Sequence, residues 1–180
     1  MITFASPIHL SGKLQTILSC LMLIFMVIAI GTALGFEHIG GFMPCKLCLE
    51  ERIPYYTGIP LMIVTCALSL KEKPGLLIRA LFLITALLML YNFGLSVYHA
   101  GAEYKFWSGP TDCSAAATAI TTDANDLIAN LNSKRPPSCD KALGYFLGLS
   151  FAGWNGVASL FLTILGFAGA FCAFRKSGER

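Results

Sequence analysis

The chain has 180 residues, of which 56% are hydrophobic and only 13% charged, with a mean hydropathy of +0.68. An ordinary soluble domain carries about 25% charged residues, so this composition excludes that class and points to the lipid bilayer as solvent. The net charge of +3 is small and dispersed, which gives no footing for nucleic acid as a partner.

Ionisable side chains divide the sequence into four nearly uncharged windows, each reaching or approaching the ~20 residues that cross ~30 Å of hydrocarbon as helix. The expected fold is an all-α membrane protein, a four-transmembrane-helix bundle forming a single integral membrane domain over 1–180. Its spans are expected at about 14–35, 53–70, 77–98 and 150–173, with outer loops at about 36–52 and 99–149. A membrane barrel would show ~10-residue segments of period two, which these windows lack.

Residues 1–13 form a short mixed lead, and Lys13 ahead of Leu14 to Leu34 imitates a signal peptide. The apolar stretch exceeds a usual signal core and three further spans follow, so it reads as an uncleaved first helix. In the first outer loop Gly40, Gly41 and Pro44 interrupt helix just before Cys45-Lys46-Leu47-Cys48, with Glu50, Glu51 and Arg52 behind it.

Pro54 suits the opening turn of the second span, where its missing N–H costs nothing. A helix beginning near Cys48 would instead be kinked there. The pattern allows either. Lys71 to Gly75 is a tight inner turn. In the third span Asn92 is expected to bond a neighbouring helix. Tyr98, Tyr104, Phe106 and Trp107 form an aromatic belt at its outer end.

In the second outer loop Gly109-Pro110 precedes Cys113, and Pro136-Pro137 precedes Cys139. Between the cysteines Ile120, Leu127, Ile128 and Leu131 recur at helical spacing, which predicts a short amphipathic surface helix. The last uncharged window, 142–174, has 33 residues and would overshoot the bilayer as one helix, so its first part to about Leu149 is expected at the interface. Gly153, Gly156, Gly166 and Gly169 allow close helix packing in the fourth span.

Lys13, Lys71, Lys73, Arg79, Arg175, Lys176 and Arg180 fall on one side of this topology, seven cations against six on the other and in far shorter segments. The positive-inside rule places both termini in the cytoplasm. Both cysteine-bearing loops then face outward, where disulfides persist.

Of seven cysteines, Cys20, Cys66 and Cys172 lie within apolar spans, as small buried hydrophobes do. Cys45, Cys48, Cys113 and Cys139 occupy the outer loops, an even set that suggests two bridges. As a zinc site the four would be unusual, because structural zinc sites show two short-spaced pairs and here 25 residues separate Cys113 from Cys139. No metal site is expected. A bridge over that interval would stabilise its loop by ~3 kcal/mol, whereas one across the Cys45-x-x-Cys48 spacing closes almost no loop. That spacing is better suited to thiol exchange, and Arg52 beside it would favour a thiolate at Cys48.

Cys45-x-x-Cys48 with Arg52 and Pro54-Tyr55, then Tyr98-His99-Ala100-Gly101 with Glu103, Gly109-Pro110-x-x-Cys113 and Ser138-Cys139-Asp140 together resemble the DsbB family of disulfide-forming membrane oxidoreductases. The resemblance implies that a periplasmic thioredoxin-fold thiol oxidase of the DsbA type delivers electrons to a Cys113–Cys139 disulfide, with Cys113 forming the mixed disulfide. It further implies that Cys139 exchanges with Cys45. Cys48 would then pass electrons to a membrane quinone, ubiquinone or menaquinone, near Arg52 and His99. The implied setting is the bacterial inner membrane. A vitamin K epoxide reductase-like enzyme is the alternative among enzymes, although its membrane-proximal Cys-x-x-Cys lies late in the chain. A non-enzymatic tetraspan protein with two structural disulfides is the alternative outside them.

Overall fold

The computed structural model describes residues 7–71, 75–110 and 139–172. Cys113 and the surface helix expected over 120–131 lie outside the described residues. The elements are α1 (Pro7–His38), α2 (Lys46–Glu50), α3 (Ile53–Leu70), α4 (Gly75–Glu103), a two-stranded hairpin of β1 (Tyr145–Phe146) and β2 (Leu149–Ser150), and α5 (Phe151–Cys172). Four stretches, Lys13–His38, Lys46–Leu70, Gly75–Glu103 and Phe151–Phe171, are long and apolar enough to cross a membrane. The chain is therefore a multi-pass membrane protein, and its helices close into a bundle in the cyclic order α1, α3, α4, α5.

The bundle core is rich in methionine, with Met22, Met26, Met62 and Met89 fully buried around Phe82 and Leu162. Unbranched thioethers fill the irregular gaps between helices. The hydroxyls of Thr65, Thr85, Ser159 and Thr163 each donate to the carbonyl four residues back, which satisfies them within their own helix. Ile17, Ile24, Ile63, Leu87 and Ile164 face outward, as lipid contact requires. The most extensive contact joins α4 to α5. A methyl group at Gly166 would stand 2.8 Å from the Ala86 Cβ, and one at Gly169 would meet the Phe82 ring at 2.5 Å. These two glycines let the helices approach; Gly153 instead faces Leu149 of the hairpin.

Three local features depart from sequence expectation or decide between its alternatives. The chain breaks between α2 and α3, and Pro54 sits in the first turn of α3, so the unkinked alternative holds. Helix α4 continues past Tyr98 to Glu103, because Ala100, Gly101 and Ala102 offer no breaker. It ends where Lys105 turns left-handed at φ 64° and the Phe106 N–H reaches the Gly101 carbonyl at 2.9 Å, closing a Schellman motif. The interfacial stretch before α5 is a hairpin, with Tyr145 opposite Ser150 and Phe146 opposite Leu149. Its two-residue loop, Leu147-Gly148, has φ of 51° and 81°, as a type I′ turn requires.

Candidate functional site

At the end of the bundle that carries Cys45, the chain leaves α1, turns through Gly41 at φ 69° and enters α2 at Cys45. Cys45 is extended at φ −77° and ψ 172°, and its sulfur accepts from the Cys48 N–H at 3.2 Å. The Cys-x-x-Cys spacing thus makes the first cysteine the cap of the short helix holding the second. The two sulfurs are free thiols 2.8 Å apart. The hydrogen bond from Cys48, aided by the backbone N–H, holds the Cys45 thiol below its usual pKa, against burial and the nearby charges of Glu51 and Glu103. Hydrogen-bond stabilisation of a sulfur anion therefore falls on Cys45.

Behind Cys45 stands a buried polar chain. His99 Nε2 lies 3.5 Å from the Cys45 sulfur, and His99 Nδ1 lies 2.9 Å from Glu51 Oε1. The Asn155 amide donates to Glu51 Oε2 at 3.1 Å and to Ser96 Oγ at 2.8 Å, while its carbonyl oxygen accepts from the Tyr55 hydroxyl at 2.8 Å. Glu103, one turn beyond His99, brings Oε1 within 3.8 Å of His99 Nε2. His99 and Glu51 are only 2% and 6% exposed, so these contacts form in a low dielectric where each counts for more. Asn92, expected to make the interhelical bond, is fully buried, and its amide has no hydrogen-bond partner among the described residues. Asn155 takes that role.

Arg52 does not pair with its neighbours Glu50 and Glu51; its guanidinium binds the Glu37 carboxylate at the end of α1. That ion pair lies on the wall of a cavity of about 370 Å³. Phe25, Ile28, Phe36 and Phe151 give the cavity apolar sides, and Cys48, Glu51, Arg52 and Asn155 a polar end. Cys48 therefore lines the cavity while Cys45 is turned away from it. His99 does not line it either, but backs Glu51, which does.

Away from the cavity, Cys45 and Leu47 form one buried cluster with Cys139, against which Cys48 also packs. Cys139 is disulfide-bonded, and none of the free cysteines Cys20, Cys45, Cys48 and Cys66 is its partner. The Lys105 ammonium donates to both the Asp140 carbonyl and its carboxylate at 2.7 Å, fastening this segment to the end of α4. The structure thus brings Cys45, Cys48, Cys139, Arg52 and His99 to one end of the bundle; Cys113 lies outside the described residues.

The model of the family described as Disulfide bond formation protein DsbB matches residues 15–169. The chain belongs to the DsbB family. This DsbB-family chain is also 28% identical over 168 residues to an uncharacterized protein of Rickettsia prowazekii (strain Madrid E), a likeness covering 91% of each chain. No solved structure matches it. Membership makes the protein a membrane protein of disulfide bond formation.

Sequence reasoning missed Glu51, Glu103 and Asn155 as site residues, and it missed a second thiol pair. The sulfurs of Cys20 on α1 and Cys66 on α3, expected to be separate hydrophobes, lie 2.7 Å apart. Only the positions of Glu51 and Glu103, each one helical turn from a motif residue, carried a signal.

Proposed function

We propose that this DsbB-family protein reoxidises a periplasmic thiol oxidase of the DsbA type and disposes of the electrons to a membrane quinone. The observation that carries the reading is the placement of the Cys-x-x-Cys pair between two surroundings, Cys45 buried in one cluster with Cys139, and Cys48 packed against that cluster while also lining the cavity. The partner's dithiol attacks a Cys113–Cys139 disulfide through Cys113, becomes a disulfide itself and leaves two thiols. Cys139 then attacks Cys45 of an oxidised Cys45–Cys48 pair, which restores the Cys113–Cys139 bond and reduces Cys45 and Cys48. That pair returns to the disulfide by giving up two electrons and two protons on the cavity side.

A DsbA-type oxidase is itself near about −120 mV, so draining it needs a strongly oxidising acceptor. A quinone, when bound, supplies a two-electron acceptor of that kind. The cavity suits one, since its volume is within the ~300–1,000 Å³ of small-molecule sites and its apolar walls end in Arg52, Glu51 and Asn155. Arg52, fixed by Glu37, would orient the polar ring edge, and Glu51 with His99 would carry protons away from the sulfurs. The reading places the cysteine loops on the periplasmic face of a bacterial inner membrane, with both termini cytoplasmic, as the distribution of lysine and arginine favours.

Purified full-length protein, a reduced thioredoxin-fold dithiol and a soluble quinone analogue test it. Quinone reduction is expected in the native protein and its loss in Cys48→Ser; persistence of the reaction in Cys48→Ser would overturn the path.

A further inference from the structure

We propose that the reduced Cys45–Cys48 pair, together with His99 and Glu103, is a binding site for one borderline-soft divalent cation of the Zn²⁺ type, and that occupation locks the pair in its dithiolate state. The sulfurs of Cys45 and Cys48 and a ring nitrogen of His99 all lie within 4.8 Å of one another. Tetrahedral zinc with S and N ligands at about 2.3 and 2.0–2.1 Å sets its donors about 3.5–3.8 Å apart. The Cys45 sulfur is 3.5 Å from His99 Nε2, already near the donor separation of a filled site; Glu103 Oε1, 3.8 Å from the same nitrogen, lies outside that group of three and must move in to complete it. The two sulfurs, at 2.8 Å, must open by about 1 Å, a rotation of one cysteine side chain.

Two further observations favour a cation over a merely structural cluster. His99 holds Glu51 Oε1 on its other nitrogen at 2.9 Å, the carboxylate–histidine–metal arrangement that fixes the ring and turns Nε2 toward the Cys45 sulfur. Glu103 is buried one turn beyond His99, and its Oε2 has no hydrogen-bond partner among the described residues, so a desolvated carboxylate oxygen stands close to the imidazole. Two buried carboxylates and two thiols face a single imidazole. A divalent ion offsets the two thiolate charges created as its binding releases the two thiol protons, with no change in the oxidation state of sulfur or metal. The same ion cannot bind the Cys45–Cys48 disulfide, which has no thiolate to offer, so the site exists only in the reduced half of a redox cycle.

The full-length protein in detergent, reduced with a phosphine and freed of it, is titrated with Co²⁺ as the spectroscopic probe. One equivalent is expected to give the sulfur-to-cobalt charge-transfer band and the visible bands of tetrahedral coordination, both erased by stoichiometric Zn²⁺. Protein with the pair oxidised should give neither. Cys48→Ser should abolish the bands, and Glu51→Gln should weaken Co²⁺ binding on the order of tenfold or more by loosening His99. Glu103→Gln should shift the visible bands as the oxygen ligand changes. Bands absent from the reduced native protein, retained in Cys48→Ser, or lost in Cys20→Ser instead, would overturn the assignment. No quinone or partner enters the titration, so failure here leaves the electron path above untouched.

Discussion

His99 Nδ1 and Glu51 Oε1 are 2.9 Å apart, a contact that ties the outer end of α4 to the joint between α2 and α3. It fixes the imidazole against Cys45 on one side and presents the remaining Glu51 oxygen to Asn155 and the cavity on the other. One carboxylate thereby connects the sulfur clustered with Cys139 to the cavity wall that Cys48 lines. Movement of α4 relative to α2 would disturb both faces of the dithiol at once.

The depressed Cys45 thiol has a definite sign in a pH profile. The thiolate is the reactive form, so a lower pKa raises its fraction at neutral pH. In the reduced protein, thiolate absorbance and alkylation at Cys45 should both titrate below the ordinary thiol value of 9.0. Since the hydrogen bond from Cys48 is the largest cause, Cys48→Ala should move that midpoint upward. Site-resolved alkylation followed by mass spectrometry across pH checks this; a midpoint unchanged by Cys48→Ala would assign the depression to another donor.

Arg52 and Glu37 form an ion pair on the cavity wall, bridging α1 to the start of α3. If the pair orients the electron acceptor, Arg52→Ala should raise the KM for a quinone analogue about tenfold, the equivalent of ~1.4 kcal/mol of binding, with a smaller change in kcat. Glu37→Gln should produce part of the same effect by releasing the guanidinium. Steady-state kinetics at several quinone concentrations measure both, and an unchanged KM in Arg52→Ala would make the residue a structural link between helices.

The parts of this architecture that local sequence specifies were legible before any coordinates. Spans bounded by Lys13, Arg52 and Lys71 follow from hydropathy alone, and α3 runs from Ile53 to Leu70, whereas α4 starts at Gly75 and takes Arg79 into its second turn. The Cys-x-x-Cys with Arg52 is a contiguous motif, so its neighbourhood was legible too. The polar chain was not, because its links span 48 residues from Glu51 to His99 and 104 from Glu51 to Asn155. Those contacts exist only once α3, α4 and α5 are in register. The hairpin escaped for a different reason: strands of two residues leave no period to read, and its one signal was the turn glycine Gly148.

Gly101 lies under the Trp107 indole, whose Nε1–H donates to the Tyr98 carbonyl at 2.8 Å and folds the chain back over the end of α4. A methyl group at Gly101 would fall within the indole ring. Gly101→Ala should therefore destabilise the protein by about 1–3 kcal/mol, the cost of overpacking against a rigid ring. It should also loosen the neighbouring His99. Thermal unfolding in detergent checks the first effect, and a native Tm would show that the indole can move aside without cost.

Cys20 and Cys66 bring their sulfurs to 2.7 Å across the α1–α3 contact, on the same two helices whose other ends hold Glu37 and Arg52. Neither is disulfide-bonded. A mild thiol oxidant such as a diazene dicarboxamide should join them, the oxidant taking up the two hydrogens the thiols lose. A reducible cross-link between peptides containing Cys20 and Cys66 should then appear by mass spectrometry in a protein whose outer cysteines are all replaced by serine. Such a bond would tie α1 to α3 beyond the floor of the cavity, and if the cavity opens by separation of these helices, the cross-linked protein should exchange a quinone analogue more slowly than its reduced form. Each half of the expectation has its own check. Failure to cross-link would mean that the helices hold the sulfurs out of bonding orientation, whereas cross-linking with unaltered exchange would put the route into the cavity elsewhere, between α1 and α5.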